Sequence, residues 1–249
     1  MKILLKISLL FIGLGVLPSY KNASPGTSKT ILFIPYQPIM HLSDADADIA
    51  EYSGINVRQV KVVLRNNLTQ RLLLRLREDF YVRQLTEMGT TKEKDDLNNF
   101  YDSENFYLSS CDTSRKNSTN DIASSENPYF GIFQKNSSLN YASSYMNVSL
   151  GKPVLFKELS AEYEANYFLV LTQFEIKTHY NECVDIANHV SHREFLVHFS
   201  VFDAEGNQTG GTAVSYDAGS DITGVNKISD TVFPELVEKI FAQVAAVAP

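Results

Sequence analysis

Cysteine is nearly absent from this chain of 249 residues, with Cys111 and Cys183 as the whole complement. A disulfide-stapled scaffold is thereby excluded, and stability has to come from a hydrophobic core, which a chain of this length can bury unaided. Positive charge is also scarce. The 22 lysines and arginines face 29 acidic residues, for a net charge of -7. Nucleic acid is therefore not the expected partner, because binding phosphate requires clustered cations. Beyond the opening stretch, no apolar run approaches the roughly 20 residues that span a bilayer. Catalytic signatures are missing as well: there is no G-x-S-x-G elbow, no Walker loop, no G-x-G-x-x-G turn and no H-E-x-x-H pair. The expectation is a protein that carries out no chemistry of its own and holds no cofactor.

What is present begins with Lys2 and Lys6 around an apolar stretch, Ile3 to Leu5 and Ile7 to Leu17, that ends at Pro18 and small polar residues. That is the pattern of a secretory signal peptide, expected to occupy residues 1–23 and to direct the chain to the periplasm or beyond. No cysteine lies near the end of the apolar stretch, so no lipid attachment at a mature N-terminal cysteine is expected. The remainder, 28–249, reads as one α/β domain: 44% apolar and 20% charged residues lie in the globular range. In an oxidising compartment Cys111 and Cys183 form a candidate disulfide, with two free thiols as the alternative.

The order of elements follows from periodicity. Thr30 to Tyr36 is a short β-branched and aromatic run closed by Pro35 and Pro38, a buried strand. From Asn56 to Arg77, apolar residues recur every three or four positions (Val57, Val60, Leu64, Leu68, Leu72, Leu76), predicting a long helix capped by Asn56. Residues 98–150 contain twelve serines and nine asparagines and hold no period, so they read as a partly ordered insertion with short strands at best. A short helix is predicted over 154–164 and a strand over 167–178, with Phe168, Val170, Phe174 and Ile176 on one face and Gln173, Glu175 and Lys177 on the other. Residues 194–202 and 209–216, joined by Asp203 to Asn207, predict a β-hairpin, and 231–247 an amphipathic helix. Together these predict an α/β (α+β) two-layer sandwich, a mixed sheet backed by the long N-terminal helix and the C-terminal helix.

The strand Ile31 to Tyr36, the long helix after it and the late strand, hairpin and terminal helix resemble the exported envelope domains of the TolB N-terminal, CsgG and LpoB type. The IPYQP start and the FSVFDAEGN hairpin also resemble uncharacterised exported proteins of Gram-negative bacteria. The likeness covers about residues 30–82 and 154–247. It implies a protein that acts by contacting other envelope proteins, and it transfers no functional residue.

Several constellations carry chemistry in principle. His179, Cys183, His189 and His192 fall within fourteen positions and offer zinc donors, although their spacing fits no compact zinc signature. They motivate an alternative reading as a metal-binding protein or metal-dependent enzyme. Asp44, Asp46 and Asp48 mimic the opening of a calcium loop, but Ile49 and Ile55 stand where that loop needs Gly and Glu, leaving an acidic lead-in to a helix. Glu158, Glu162 and Glu164 suggest a carboxylate pair or a wet helix face. Arg58, Lys61, Arg65, Arg71 and Arg75, continued by Arg77 and Arg83, make the long helix basic, either as a solvated face or as a docking face for an acidic partner. Tyr129, Phe130, Phe133, Tyr141 and Tyr145 suggest a third reading, a glycan-binding module. The leading expectation is a periplasmic, non-enzymatic accessory protein that binds another envelope protein.

Overall fold

The computed structural model describes residues 29–110 and 144–248. In chain order its elements are β1 (Thr30–Ile34), a single 3-10 turn (Pro38–Met40), β2 (His41–Ser43), α1 (Asp46–Ser53), α2 (Val57–Leu76), β3 (Tyr81–Gln84), α3 (Thr91–Ser103) and β4 (Glu104–Ser110). They continue with β5 (Ser144–Leu150), α4 (Val154–Tyr163), β6 (Tyr167–Asp185), β7 (Val190–Asp203), β8 (Gln208–Gly219), α5 (Val225–Thr231) and α6 (Phe233–Val247). The main sheet runs β3-β1-β6-β7-β8, with β2 paired to the far part of β6; β1, β2 and β3 run parallel and β7 and β8 antiparallel. β4 and β5 form a separate antiparallel ladder. The result is an α+β sandwich.

Local chemistry explains the main helix. Asn56 Oδ1 accepts from the Gln59 amide at 2.9 Å while Gln59 Oε1 accepts from the Asn56 amide at 3.0 Å, so the first turn starts with two satisfied donors. Val60, Leu64, Leu68, Leu72 and Leu76 then bury one stripe against the sheet, but Val57, on the predicted apolar face, is 41% exposed beside the cap. α6 lays Phe233, Leu236, Val237, Ile240 and Val244 into the same core.

The two faces of the sheet differ. One carries α1, α2, α5 and α6 over Ile31, Phe33, Leu169, Leu171, Phe174, Ile176, Phe195, Val197, Phe199 and Val201. The other buries Leu32, Ile34, Phe168, Val170 and Phe202 under α3, α4 and β5. Phe168 and Val170 therefore do not share a face with Phe174 and Ile176, contrary to the alternation expected. Leu171 pairs with Phe199 and Gln173 with His198, so Thr172 is one residue in excess, and such a bulge reverses which side chains point inward.

Within the Ser- and Asn-rich stretch, 98–103 complete α3 and 104–110 pair with 144–150; the rest lies outside the described residues. α3 has a signature of its own, since Thr90 and Glu93 close a capping box and Leu97 and Phe100 are fully buried.

Candidate functional site

The basic face of α2 resolves into individual partners. Arg65 gives its Nε to the Tyr36 carbonyl at 2.8 Å, one terminal nitrogen to Tyr101 Oη at 2.8 Å and the other to Glu87 at 3.0 Å. Arg75 binds Glu238 at 2.8 Å and Glu78 at 3.0 Å, and its guanidinium lies 3.4 Å from the centre of the Phe241 ring. Arg71 pairs with Asp230, and Lys61 reaches the His41 carbonyl at 3.3 Å. Four of the five cations proposed for docking thus tie α2 to its neighbours, and Arg58 stands exposed at the helix start. Truncation should separate the two kinds. Arg65→Ala is expected to lose on the order of 2–3 kcal/mol because it strips three hydrogen bonds, two of them to partly buried groups, and Arg58→Ala less than about 0.5 kcal/mol. Chemical denaturation of the two variants checks the difference.

The aspartates that resemble a calcium loop are dispersed. Asp44 accepts from the Thr178 amide at 2.8 Å, Asp46 contacts His41 at 2.9 Å and Asp48 lies 3.9 Å from Arg193. Glu158, Glu162 and Glu164 are exposed on or beside α4, Glu162 near Lys92 and Glu164 near Arg83. Tyr145 is 4% exposed and its hydroxyl accepts from Gln208 at 2.7 Å, which leaves it no ring face for a sugar. The other four aromatics of that group lie outside the described residues.

The stretch expected to be a loop, 179–192, is mostly strand. β6 and β7 continue as a two-stranded ribbon whose register slips between His179 and Cys183 and again before Asp185. His179 and His192 are stacked, ring centres 5.0 Å apart. His192 meets Glu182 at 3.2 Å through Nδ1 and Asp217 at 3.1 Å through Nε2, and His179 lies 3.8 Å from Glu194. Cys183 and His189 are exposed farther out. Among the described residues no three His, Cys, Asp or Glu side chains converge as a metal site. Cys111 lies outside the described residues, and with it the pairing with Cys183. At the ribbon's base Arg193, 2% exposed, donates to Thr178 Oγ1 at 3.1 Å and to Thr223 Oγ1 at 3.3 Å, and its burial pushes the guanidinium below its usual range. Past that brace the ribbon exposes Tyr180 (66%), Val184 (64%) and Ile186 (81%) among Glu182 and Asp185.

No family model matches the chain. No curated protein matches it either. Solved structures that are weakly similar in fold include the following two. The lipoprotein GNA1162 from Neisseria meningitidis has a TM-score of 0.37 at 12% identity, covering 88% of this chain and 99% of its own. The hypothetical protein CT253 from Chlamydia trachomatis has a TM-score of 0.40 at 12% identity, with the same coverage. Among the described residues, no helix is long and apolar enough to cross a membrane.

A second polar centre, missed by the sequence reading, lies where the β4–β5 ladder rests on the sheet. His198 is 4% exposed; its Nε2 is 2.8 Å from Glu175 and its Nδ1 accepts the Met146 amide at 3.0 Å. Thr172 Oγ1 donates to the Met146 carbonyl at 2.6 Å, so one residue of β5 has both backbone groups held by side chains of the sheet. Asn147, 1% exposed, accepts from Ser200 at 2.6 Å and donates to Tyr107 and Gln208 at 2.9 Å. Burial pushes the Glu175 carboxyl up, but its contact with His198 and the Lys177 ammonium outweigh that and hold the group below the usual carboxylate range. A signal existed: alternation puts Gln173 and Glu175 on the side opposite the Phe195 core, and His198 and Ser200 share that side. What could not be read was that β5 covers them.

Proposed function

We propose that the protein is an exported, non-enzymatic accessory protein of the cell envelope that binds another envelope protein through the end of the β6–β7 ribbon. The observation that carries this reading is the exposed trio Tyr180, Val184 and Ile186 beyond the Arg193 brace. A hairpin that shows three large apolar side chains to water is costly to keep unless a partner covers them, and apolar anchors with a polar rim dominate binding energy. Glu182, Asp185 and Asp217 supply that rim and favour a partner face of opposite charge. The signal-peptide pattern at the start of the chain and the missing catalytic motifs support the compartment and the absence of chemistry.

Photo-crosslinking tests it. A benzoylphenylalanine at Tyr180 or Ile186 in the living host is expected to give one discrete protein adduct, and the same probe at Met88, which is 92% exposed far along the chain, none. Replacing Tyr180, Val184 and Ile186 by serine should abolish the adduct formed from a probe at Val190 while shifting the melting temperature by less than about 2 °C. Absence of any discrete adduct from the ribbon end would remove this reading.

A further inference from the structure

The contacts around His198 are in conflict over a proton. Its Nδ1 lone pair accepts the Met146 amide, which requires an unprotonated Nδ1 and leaves Nε2 as the nitrogen facing Glu175. Glu175, ionised, favours a second proton on the ring, but that proton belongs on Nδ1, where the Met146 N–H already points. The ring therefore has two consistent states: neutral with β5 seated, or cationic with β5 lifted from it. We propose that His198 is a proton-operated latch, its neutral ring holding the β4–β5 ladder on the sheet and its protonated ring releasing it.

The surroundings supply few competitors. From β6, Glu175 is in contact and Lys177 lies behind it, bonded to the same carboxylate. Across the register stand Gln173 on β6 and Ala213 on β8, neither of which titrates. Above the ring, β5 brings Tyr145 and the Met146 backbone, and β4 brings Tyr107, bonded to Asn147. At the root of the ladder Glu104, raised by burial to about 8, keeps its proton through mildly acidic and neutral pH and so stays constant while His198 changes. Val148 and Leu150 of β5 are themselves part of the Leu97, Phe100 and Phe156 cluster, so the release opens the ladder at Met146 against that uncharged packing. It goes beyond the proposed function and does not rest on it.

Hydrogen exchange of the full chain, corrected for intrinsic rates, tests the latch. Losing the Met146 bond is expected to lower protection of residues 144–150 about tenfold between roughly pH 7.5 and 5.5, with α2 unchanged. In His198→Gln the difference should vanish. Equal protection at both pH values in the unaltered protein, or a drop that persists in His198→Gln, overturns the proposal. Should that variant not fold, nitrogen NMR of the unaltered protein decides. A Met146 amide that titrates together with the His198 ring supports the latch, and one that titrates independently of it refutes it.

Discussion

Deleting Thr172 is expected to abolish cooperative folding. The residue is the extra one opposite the Phe199–His198 step, and it lets Leu169 and Leu171 face the same helices as Phe174 and Ile176. Without it, strict alternation holds along β6. Either Phe174 and Ile176 turn to the polar side and Glu175 and Lys177 enter the core of α2 and α6, or the shift falls on Leu169 and Leu171. The first alternative buries two charges without partners and empties two large apolar sites, each a loss of several kcal/mol. Their sum exceeds the roughly 5–15 kcal/mol that holds a domain together. Substitution behaves differently from deletion. Thr172→Val keeps the residue count and removes only the bond to the Met146 carbonyl, for about 1–3 kcal/mol. Thermal melts followed by circular dichroism distinguish the two. A sigmoidal melt of the deletion variant within a few degrees of the unaltered protein would show that the bulge has no structural weight.

That bulge also marks where reading the sequence stops. Long periodic elements were legible: the Asn56 cap, the Val60 to Leu76 stripe, the Phe195 to Val201 alternation and the α6 stripe all appear where pattern places them. Each buries a continuous face, so local period and tertiary packing agree. β2 and β3 were not legible, being three and four residues long. They exist because neighbouring strands complete their hydrogen bonds, which no window of their own residues reports. β4 and β5 hide in a Ser- and Asn-rich stretch for another reason. Asn147 is polar and buried because it bonds to Ser200 across the interface, and composition counts it as surface.

The candidate sites divide in the same way. The basic residues of α2 were visible in the sequence, but their acidic partners come from positions as distant as Asp230 and Glu238. The His and Cys cluster was compact in sequence and is spread along a ribbon in space, because strand geometry separates residues by about 3.3 Å each and sends successive ones to opposite faces. The apolar end of that ribbon was concealed by the expectation of a loop.

The pH dependence of stability gives the second large effect. Burial raises the Glu104 carboxyl to about 8, against the lowering effect of the bond that Gln37 donates to it at 2.6 Å. In the unfolded chain it titrates near its ordinary value of 4.5. Between those values the folded state holds a proton that the unfolded state has released, so stability from this group is complete below about pH 4.5, declines as pH rises and levels off above about 8. Glu175 acts in the opposite sense. Its value of about 2 contributes stability above pH 4.5 that is lost as pH falls toward 2. Maximum stability is thus expected near pH 5, with an acid limb set by Glu175 and a slope toward alkaline pH set by Glu104. Glu104→Gln keeps an acceptor for Gln37 and removes the charge. Its unfolding free energy should match that of the unaltered protein near pH 5 and exceed it by on the order of 4 kcal/mol at pH 9, since each of the roughly three pKa units between pH 5 and 8 corresponds to about 1.4 kcal/mol. Urea denaturation at intervals from about pH 4 to 9 measures both curves. Parallel curves over that range would mean that Glu104 is ionised in the folded protein and that the contact with Gln37 joins an anion to the amide.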